Sequence, residues 1–214
     1  MNPNLKLLDI DVTDKFHLTN VRNKDTSTEQ LIESLTIVGQ SIGRKIFNTF
    51  FTQEANVTTP MSQSYRGILK IEKSIVIIST DADYDNYAKG IASNFRNCYR
   101  GYIDYAGKRG KDALIEEFRT LHLPEINKPY VDVLVVAKTV LATGCTAISI
   151  TQNAMQKYKP RTVIIASVFY TQIGVEELIN EFPHSNFLLV EEDELNDDGM
   201  LLPGVGNLDK RLIA

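Results

Sequence analysis

Val131-Asp132-Val133-Leu134-Val135-Val136-Ala137-Lys138-Thr139-Val140-Leu141-Ala142-Thr143-Gly144-Cys145-Thr146 decides how the rest of the chain is read. An apolar, β-branched run of about six residues is the pattern of a strand buried on both faces. It breaks at Lys138-Thr139, and a loop of small residues then leads into an amphipathic helix from about Thr146 to Tyr158. In the loop Ala142-Thr143-Gly144-Cys145-Thr146, Gly144 lets backbone approach closely. Consecutive N–H groups at the start of a helix converge on an anion, and Thr143 and Thr146 can add hydroxyl donors. A T-G-x-T loop has a plainer reading too, a strand-to-helix turn whose threonine only caps the helix.

Working outward, strands and helices alternate. Ser27-Thr28-Glu29-Gln30 has the form of a capping box and opens a helix running to about Phe51, apolar at Leu31, Leu35, Val38, Ile42 and Ile46. Residues 53–73 read as a hairpin or extended arm. Ser74 to Thr80 is a buried strand that ends in the acidic turn Asp81-Ala82-Asp83-Tyr84-Asp85, and a helix from about Asn86 to Asn97 follows. A strand is expected around Tyr102 to Tyr105, then the basic cluster Gly107-Lys108-Arg109-Gly110-Lys111 and a short helix from Asp112 to Leu121. Beyond the opening stretch come a strand at Thr162 to Val168, a helix stopped by Pro183, and a strand at Asn186 to Val190. This alternation implies an α/β fold, a mostly parallel sheet flanked by helices. Ligands of such sheets bind beyond the carboxyl ends of the strands, where the Gly144 loop and the Asp81 turn both fall.

The chain has 214 residues, enough for one domain with a substantial core, and a net charge of -4, with no global signature of polyanion binding. Cys98 and Cys145 lack metal-ligand spacing and suit a reducing compartment. With no signal peptide and no apolar run long enough for a bilayer, a cytoplasmic protein without membrane attachment is expected. His17, His122 and His184 show no zinc or dyad spacing. The Asp81 turn lacks the glycine and glutamate of a calcium loop and reads as a solvated acidic loop ahead of a helix. Cys145 reads as a small residue in the glycine slot of its loop, with a reactive thiol as the alternative. Arg22 and Lys24, beside a helix start, read as solvated charges, with contact to a partner or the dimer mate as the alternative.

Two ordered motifs carry a resemblance. Leu141-Ala142-Thr143-Gly144-Cys145-Thr146 and Leu195-Asn196-Asp197-Asp198-Gly199-Met200-Leu201-Leu202-Pro203-Gly204-Val205-Gly206 together resemble uracil phosphoribosyltransferase, whose pattern is L-A-T-G-G-[ST] followed by L-N-x-x-G-Y-[IV]-[IV]-P-G-L-G-D. The segment Leu18 to Thr28, Thr59-Pro60-Met61, Leu123-Pro124-Glu125-Ile126 and Gly174 are similar to the same family, so the resemblance covers nearly the whole chain. It implies a phosphoribosyltransferase-like single domain over residues 1–214, with an arm or hairpin at about 53–73 and a C-terminal hood at about 191–214, assembled as a homodimer. It also implies transfer of ribose 5-phosphate from phosphoribosyl pyrophosphate to a uracil nitrogen, with Mg2+ bound by the pyrophosphate. Carried over, Ala142, Thr143, Gly144, Cys145 and Thr146 would hold the 5′-phosphate. The nucleobase would meet Met200, Leu201, Leu202, Gly204 and Gly206, its edge read by backbone around Leu202 and Gly204.

The catalytic surroundings depart from the pattern. The family's aspartate six residues before the loop glycine is Lys138. Its P-I-L-R-A-G loop aligns with Ile78-Ser79-Thr80-Asp81-Ala82-Asp83, turning arginine into Asp81 and glycine into Asp83. Two carboxylates there would repel pyrophosphate by roughly several kcal/mol at an effective dielectric of about 20. The G-L-G-D aspartate is Asn207 and the base-covering tyrosine is Met200. If Gly107 matches the family's G-M-Y-R glycine, Lys108, Arg109 or Lys111 supplies the anion-binding cation; if Gly101 matches, that position is Asp104. The spacing to Lys138 favours Gly107.

The expected protein is therefore a diverged family member, a pseudoenzyme that binds a phosphate-bearing, nucleotide-like ligand as a regulator or effector, with no confident catalytic residue and no cofactor. One alternative is an active transferase making a nucleoside monophosphate with Mg2+, using Lys108 and Arg109 on the pyrophosphate side. Another is an accessory subunit of a bacterial defence assembly, retron-type, whose partners would be protein and nucleic acid.

Overall fold

The computed structural model describes residues 4–106, 112 and 120–213. The chain runs through β1 (Leu5–Leu7), α1 (Val12–Arg22), α2 (Thr28–Phe50), β2 (Thr52–Thr58), β3 (Ser64–Lys70) and β4 (Ile75–Thr80). Then come α3 (Asp81–Tyr84), α4 (Tyr87–Ala92), β5 (Tyr99–Asp104), β6 (Thr120–His122), β7 (Val133–Leu141) and α5 (Cys145–Tyr158). The last part holds β8 (Thr162–Tyr170), α6 (Gln172–Glu181), β9 (Asn186–Glu192), β10 (Glu194–Leu195), β11 (Leu201–Leu202) and α7 (Leu208–Arg211).

Among the described residues the central sheet has seven strands in the order β1-β9-β8-β7-β4-β5-β6, and every pairing is parallel except that of β6 with β5. This is the mostly parallel sheet expected from the alternating pattern. Two antiparallel hairpins stand outside it, β2–β3 in the expected arm and β10–β11 in the expected hood.

Alternation along the strands builds two cores. Ile75, Ile77, Val133, Val135, Ile164 and Ala166 point to one face, under α1, α2 and α4, with Leu201, Val205 and Leu208 of the hood region on the same side. Val76, Ile78, Leu134, Val136 and Ile165 point to the other, under α5 and α6. Near their carboxyl ends both central strands slip phase. In β7, Ala137 and Val140 share the first face while Leu141 turns to the second; in β8, Val168 and Phe169 share the first while Tyr170 turns to the second. Lys138 pairs with Ser167 and Val140 with Phe169, so the slip falls at the same level in both strands. A one-residue slip re-aims every later side chain.

Several expected boundaries change. β7 does not end at Lys138-Thr139: the interruption in the apolar pattern marks the phase slip, and pairing with β8 carries the strand on to Leu141. The acidic turn is the short helix α3, and the helix after it stops at Ala92 rather than reaching Asn97. The short helix expected from Asp112 to Leu121 lies largely outside the described residues, and Leu121 belongs to β6 because Thr120–His122 finds backbone partners on β5. Among the described residues no helix is long and apolar enough to cross a membrane.

α4 sits against α2 at backbone distance. A Cβ at Gly90 would lie 2.1 Å from the Thr36 carbonyl oxygen, and one at Gly39 would lie 2.3 Å from that of Tyr87. Neither obstacle is a movable side-chain end, so Gly90→Ala must push the helices apart. A loss of about 1–3 kcal/mol in urea unfolding is expected; an unchanged midpoint would contradict this close crossing.

Candidate functional site

The site lies where the topology opens the sheet. β4 leaves toward β5 through α4, on the first face, while its neighbour β7 leaves toward β8 through α5, on the second. Connections departing to opposite faces from adjacent parallel strands leave a crevice beyond their carboxyl ends. The turn after Thr80 and the loop after Leu141 both begin there.

Asp83 is the buried anchor of the first segment, with 3% of its surface exposed. Its Oδ2 accepts from Lys138 Nζ at 2.9 Å and Thr80 Oγ1 at 2.7 Å. Its Oδ1 accepts from Thr139 Oγ1 at 2.5 Å and the Thr139 backbone N–H at 3.3 Å. Burial works against the charged carboxylate, yet the Lys138 charge and these hydrogen bonds outweigh it and hold Asp83 below its ordinary value. Burial, with the Asp83 charge added, pushes the enclosed Tyr87 phenol well upward. The sequence expectation of a solvated acidic loop is thus corrected: α3 turns Asp83 inward because the phase slip of β7 brings two donor residues, Lys138 and Thr139, to meet it. Asp81, on the same short helix, stays exposed and makes a polar interaction of its own.

The second segment is a backbone cradle. Gly144 has φ 77°, and a Cβ there would lie 2.8 Å from the Gly174 carbonyl oxygen while sitting in the left-handed region. Gly174 in turn would place a Cβ 2.3 Å from the Ala142 carbonyl oxygen. Thr171 ties the two loops together: its Oγ1 donates to the Ala142 carbonyl at 2.5 Å and accepts from the Gly174 N–H at 3.1 Å. Gly144 occupies the N-cap of α5 with no side-chain cap, and Ile148 N–H to the Gly144 carbonyl is the first helical bond. No threonine side chain caps the helix, and the amides of Cys145, Thr146 and Ala147 precede any helical acceptor. Thr143 Oγ1 donates to Cys145 Sγ at 3.4 Å.

The hood is fastened by arginines. Arg22 donates to Glu191 Oε2 at 2.8 Å, to Asp193 Oδ1 at 2.7 Å and to the Gly204 carbonyl at 3.1 Å, with its guanidinium over Phe169. Burial alone would lower the Arg22 pKa, but Asp193 and Glu191 raise it. Arg22 is thus a clamp and not a solvated charge. Arg211 adds bonds to the carbonyls of Val21, Val205 and Asn23. Gly204 N–H donates to Asp193 Oδ2 at 3.1 Å, so that amide is already engaged within the chain. Leu201 is buried against the core, whereas Met200 and Leu202 are exposed at the hairpin. Gly206 has φ 67° beside Asn207, which caps α7 by accepting from the Lys210 N–H. Lys108 and Arg109 lie outside the described residues, as does Gly107; Gly101 is internal to β5.

A profile of uracil phosphoribosyltransferase matches residues 13–213. The chain belongs to the uracil phosphoribosyltransferase family. It is similar to the uracil phosphoribosyltransferase of Pyrococcus furiosus, 27% identical over 196 residues that cover 91% of this chain and 83% of that one. It is also similar to that of Pyrobaculum islandicum, 26% identical over 204 residues and 94% of each chain. The AQ2163 protein of Aquifex aeolicus shares the fold, with a TM-score of 0.77, 23% identity and 97% of both chains covered.

The family implies magnesium beside the pyrophosphate, and the residues here do not fit it. Lys138 sets a positive charge there, and the Asp83 carboxylate is engaged by Lys138, Thr80 and Thr139. Among the described residues no group of three His, Cys, Asp or Glu is placed to hold a metal ion. The sequence treats position 138 and position 83 as separate defects, one repelling the metal and one repelling the pyrophosphate; in the fold they neutralise each other. Thr80, Thr139, Arg22, Glu191 and Asp193 escape sequence reasoning. The available signal was the opposite sign of the two departures, at the carboxyl ends of strands that turn out to be neighbours.

Lys138→Met leaves Asp83 buried without its counter-charge and should cost roughly 3–5 kcal/mol near pH 7. In the parent, the depressed Asp83 value makes the pair stabilising above about pH 4, with that stability lost as pH falls through the folded-state value. In the variant Asp83 accepts a proton more readily, so its deficit in urea unfolding should shrink on acidification toward about pH 4. A deficit unchanged across that range would contradict a charged, buried Asp83.

Proposed function

We propose that this protein is a diverged uracil phosphoribosyltransferase-family member that holds a phosphate-bearing, nucleotide-like ligand and has lost ordinary phosphoribosyl transfer, acting as a regulator or effector. The observation that carries this reading is the Asp83–Lys138 ion pair, at 2.9 Å, which joins the turn after β4 to the carboxyl-terminal part of β7. The phosphate would rest on the Ala142–Thr146 loop, where the unpaired first-turn amides of α5 and the Thr146 hydroxyl provide donors, Thr143 Oγ1 being directed at Cys145 Sγ, and the helix dipole favours negative charge. The base would face the exposed Met200 and Leu202, with Leu201 turned into the core and Gly206 shaping the turn beneath. With the Gly204 amide bonded to Asp193, the base edge is left to the backbone nearer Leu202. We further propose a homodimer; exposed Met61, Tyr65, Ile68 and Leu69 on the β2–β3 arm are apolar surface of the kind a second copy covers. Its two free cysteines suit the cytoplasm.

The test is a turnover assay beside a binding assay. With uracil, phosphoribosyl pyrophosphate and magnesium, no uridine monophosphate is expected above the uncatalysed background, while uridine monophosphate itself binds in calorimetry. Gly144→Trp, which fills the cradle, should abolish that binding. Turnover of about 1 per second or faster, the range of ordinary enzymes, would overturn the reading.

A further inference from the structure

We infer that the crevice accepts a ribose phosphate monoester and rejects a ribose phosphate that carries a pyrophosphate on its anomeric carbon. This inference rests on the proposed phosphate loop and goes beyond it by naming the ligand class.

The selectivity follows from where the ion pair sits. The Gly144 loop follows the carboxyl end of β7, Lys138 lies in β7 six residues before Gly144 in sequence, and Asp83 lies just beyond the neighbouring strand β4. A ligand whose 5′-phosphate rests on the loop extends its sugar along the crevice toward the pair. A monoester adds no charge there. A pyrophosphate adds several negative charges next to a carboxylate that four protein hydrogen bonds keep ionised. Lys138 cannot answer that charge without leaving Asp83, whose side chain is only 4% exposed. Thr80 and Thr139 already direct their hydroxyls at Asp83, so neither is a ready donor to an incoming phosphate. Abandoning a buried charge pair is unfavourable by roughly a hundredfold or more in an equilibrium constant, and new contacts to the pyrophosphate offset part of that. The pair therefore works as an internal plug on the pyrophosphate side, and the protein reads a product-like ligand instead of an activated substrate.

Calorimetric titration of the full chain with ribose 5-phosphate and with phosphoribosyl pyrophosphate, each with magnesium, isolates the one group at issue. Ribose 5-phosphate is expected to bind about tenfold or more tightly than the pyrophosphate compound. The double variant Asp83→Asn/Lys138→Met, checked for folding by thermal melting, is expected to shift that ratio at least about tenfold toward the pyrophosphate compound. Equal binding, or tighter binding of the pyrophosphate compound by the parent, overturns the inference and leaves the phosphate loop standing. An unchanged ratio in a folded double variant overturns the role given to the pair. If neither compound binds, the phosphate loop itself falls and the inference with it. Should the variant not fold, the ratio measured on the parent decides.

Discussion

A carboxylate taken out of water must find charge and donors or give up its ionisation. Asp83 finds both, in Lys138, Thr139 and Thr80, and this requirement links the ends of two neighbouring strands. The local backbone reflects it. β7 slips by one residue between Ala137 and Val140, β8 slips with it between Val168 and Phe169, and Ser167 donates toward the Thr139 and Phe169 carbonyls at that level. Without the slip, Thr139 and Val140 would keep the strict alternation of the preceding residues.

Around that pair the rest of the site is held by backbone. Gly144 and Gly174 bring two strand-to-helix turns into contact through carbonyl oxygens, with Thr171 spanning them. The hood is held from the far side, where Arg22 at the end of α1 gathers Glu191, Asp193 and the Gly204 carbonyl. Backbone cradles of this kind tolerate changes in side chain, because their contacts run through carbonyl oxygens and amides.

Much of the fold is legible in the chain. The runs Ile75 to Ile78, Val133 to Val136 and Val163 to Ala166 are buried on both faces and read directly as central parallel strands. The Ser27 capping box opens α2 as expected, and the β2–β3 hairpin runs from Thr52 to Lys70. What resists reading is pairing at a distance. Position 138 looks like a strand end in a one-dimensional pattern because a polar pair interrupts the apolar run; only alignment with β8 extends it. Asp83 looks solvated because its sequence neighbours Asp81 and Asp85 are exposed. Arg22 looks solvated because Glu191 and Asp193 lie some 170 positions away, separations of 169 and 171. Local composition carries no information about such partners.

Asp83 and Lys138 form one energetic unit in the folded chain. A double-mutant cycle in urea unfolding at neutral pH, with Asp83→Asn, Lys138→Met and both together, measures this directly. An interaction energy of about 1.5–3 kcal/mol is expected, with the double variant recovering much of what either single change loses. Additive losses, with a coupling below about 0.5 kcal/mol, would contradict it.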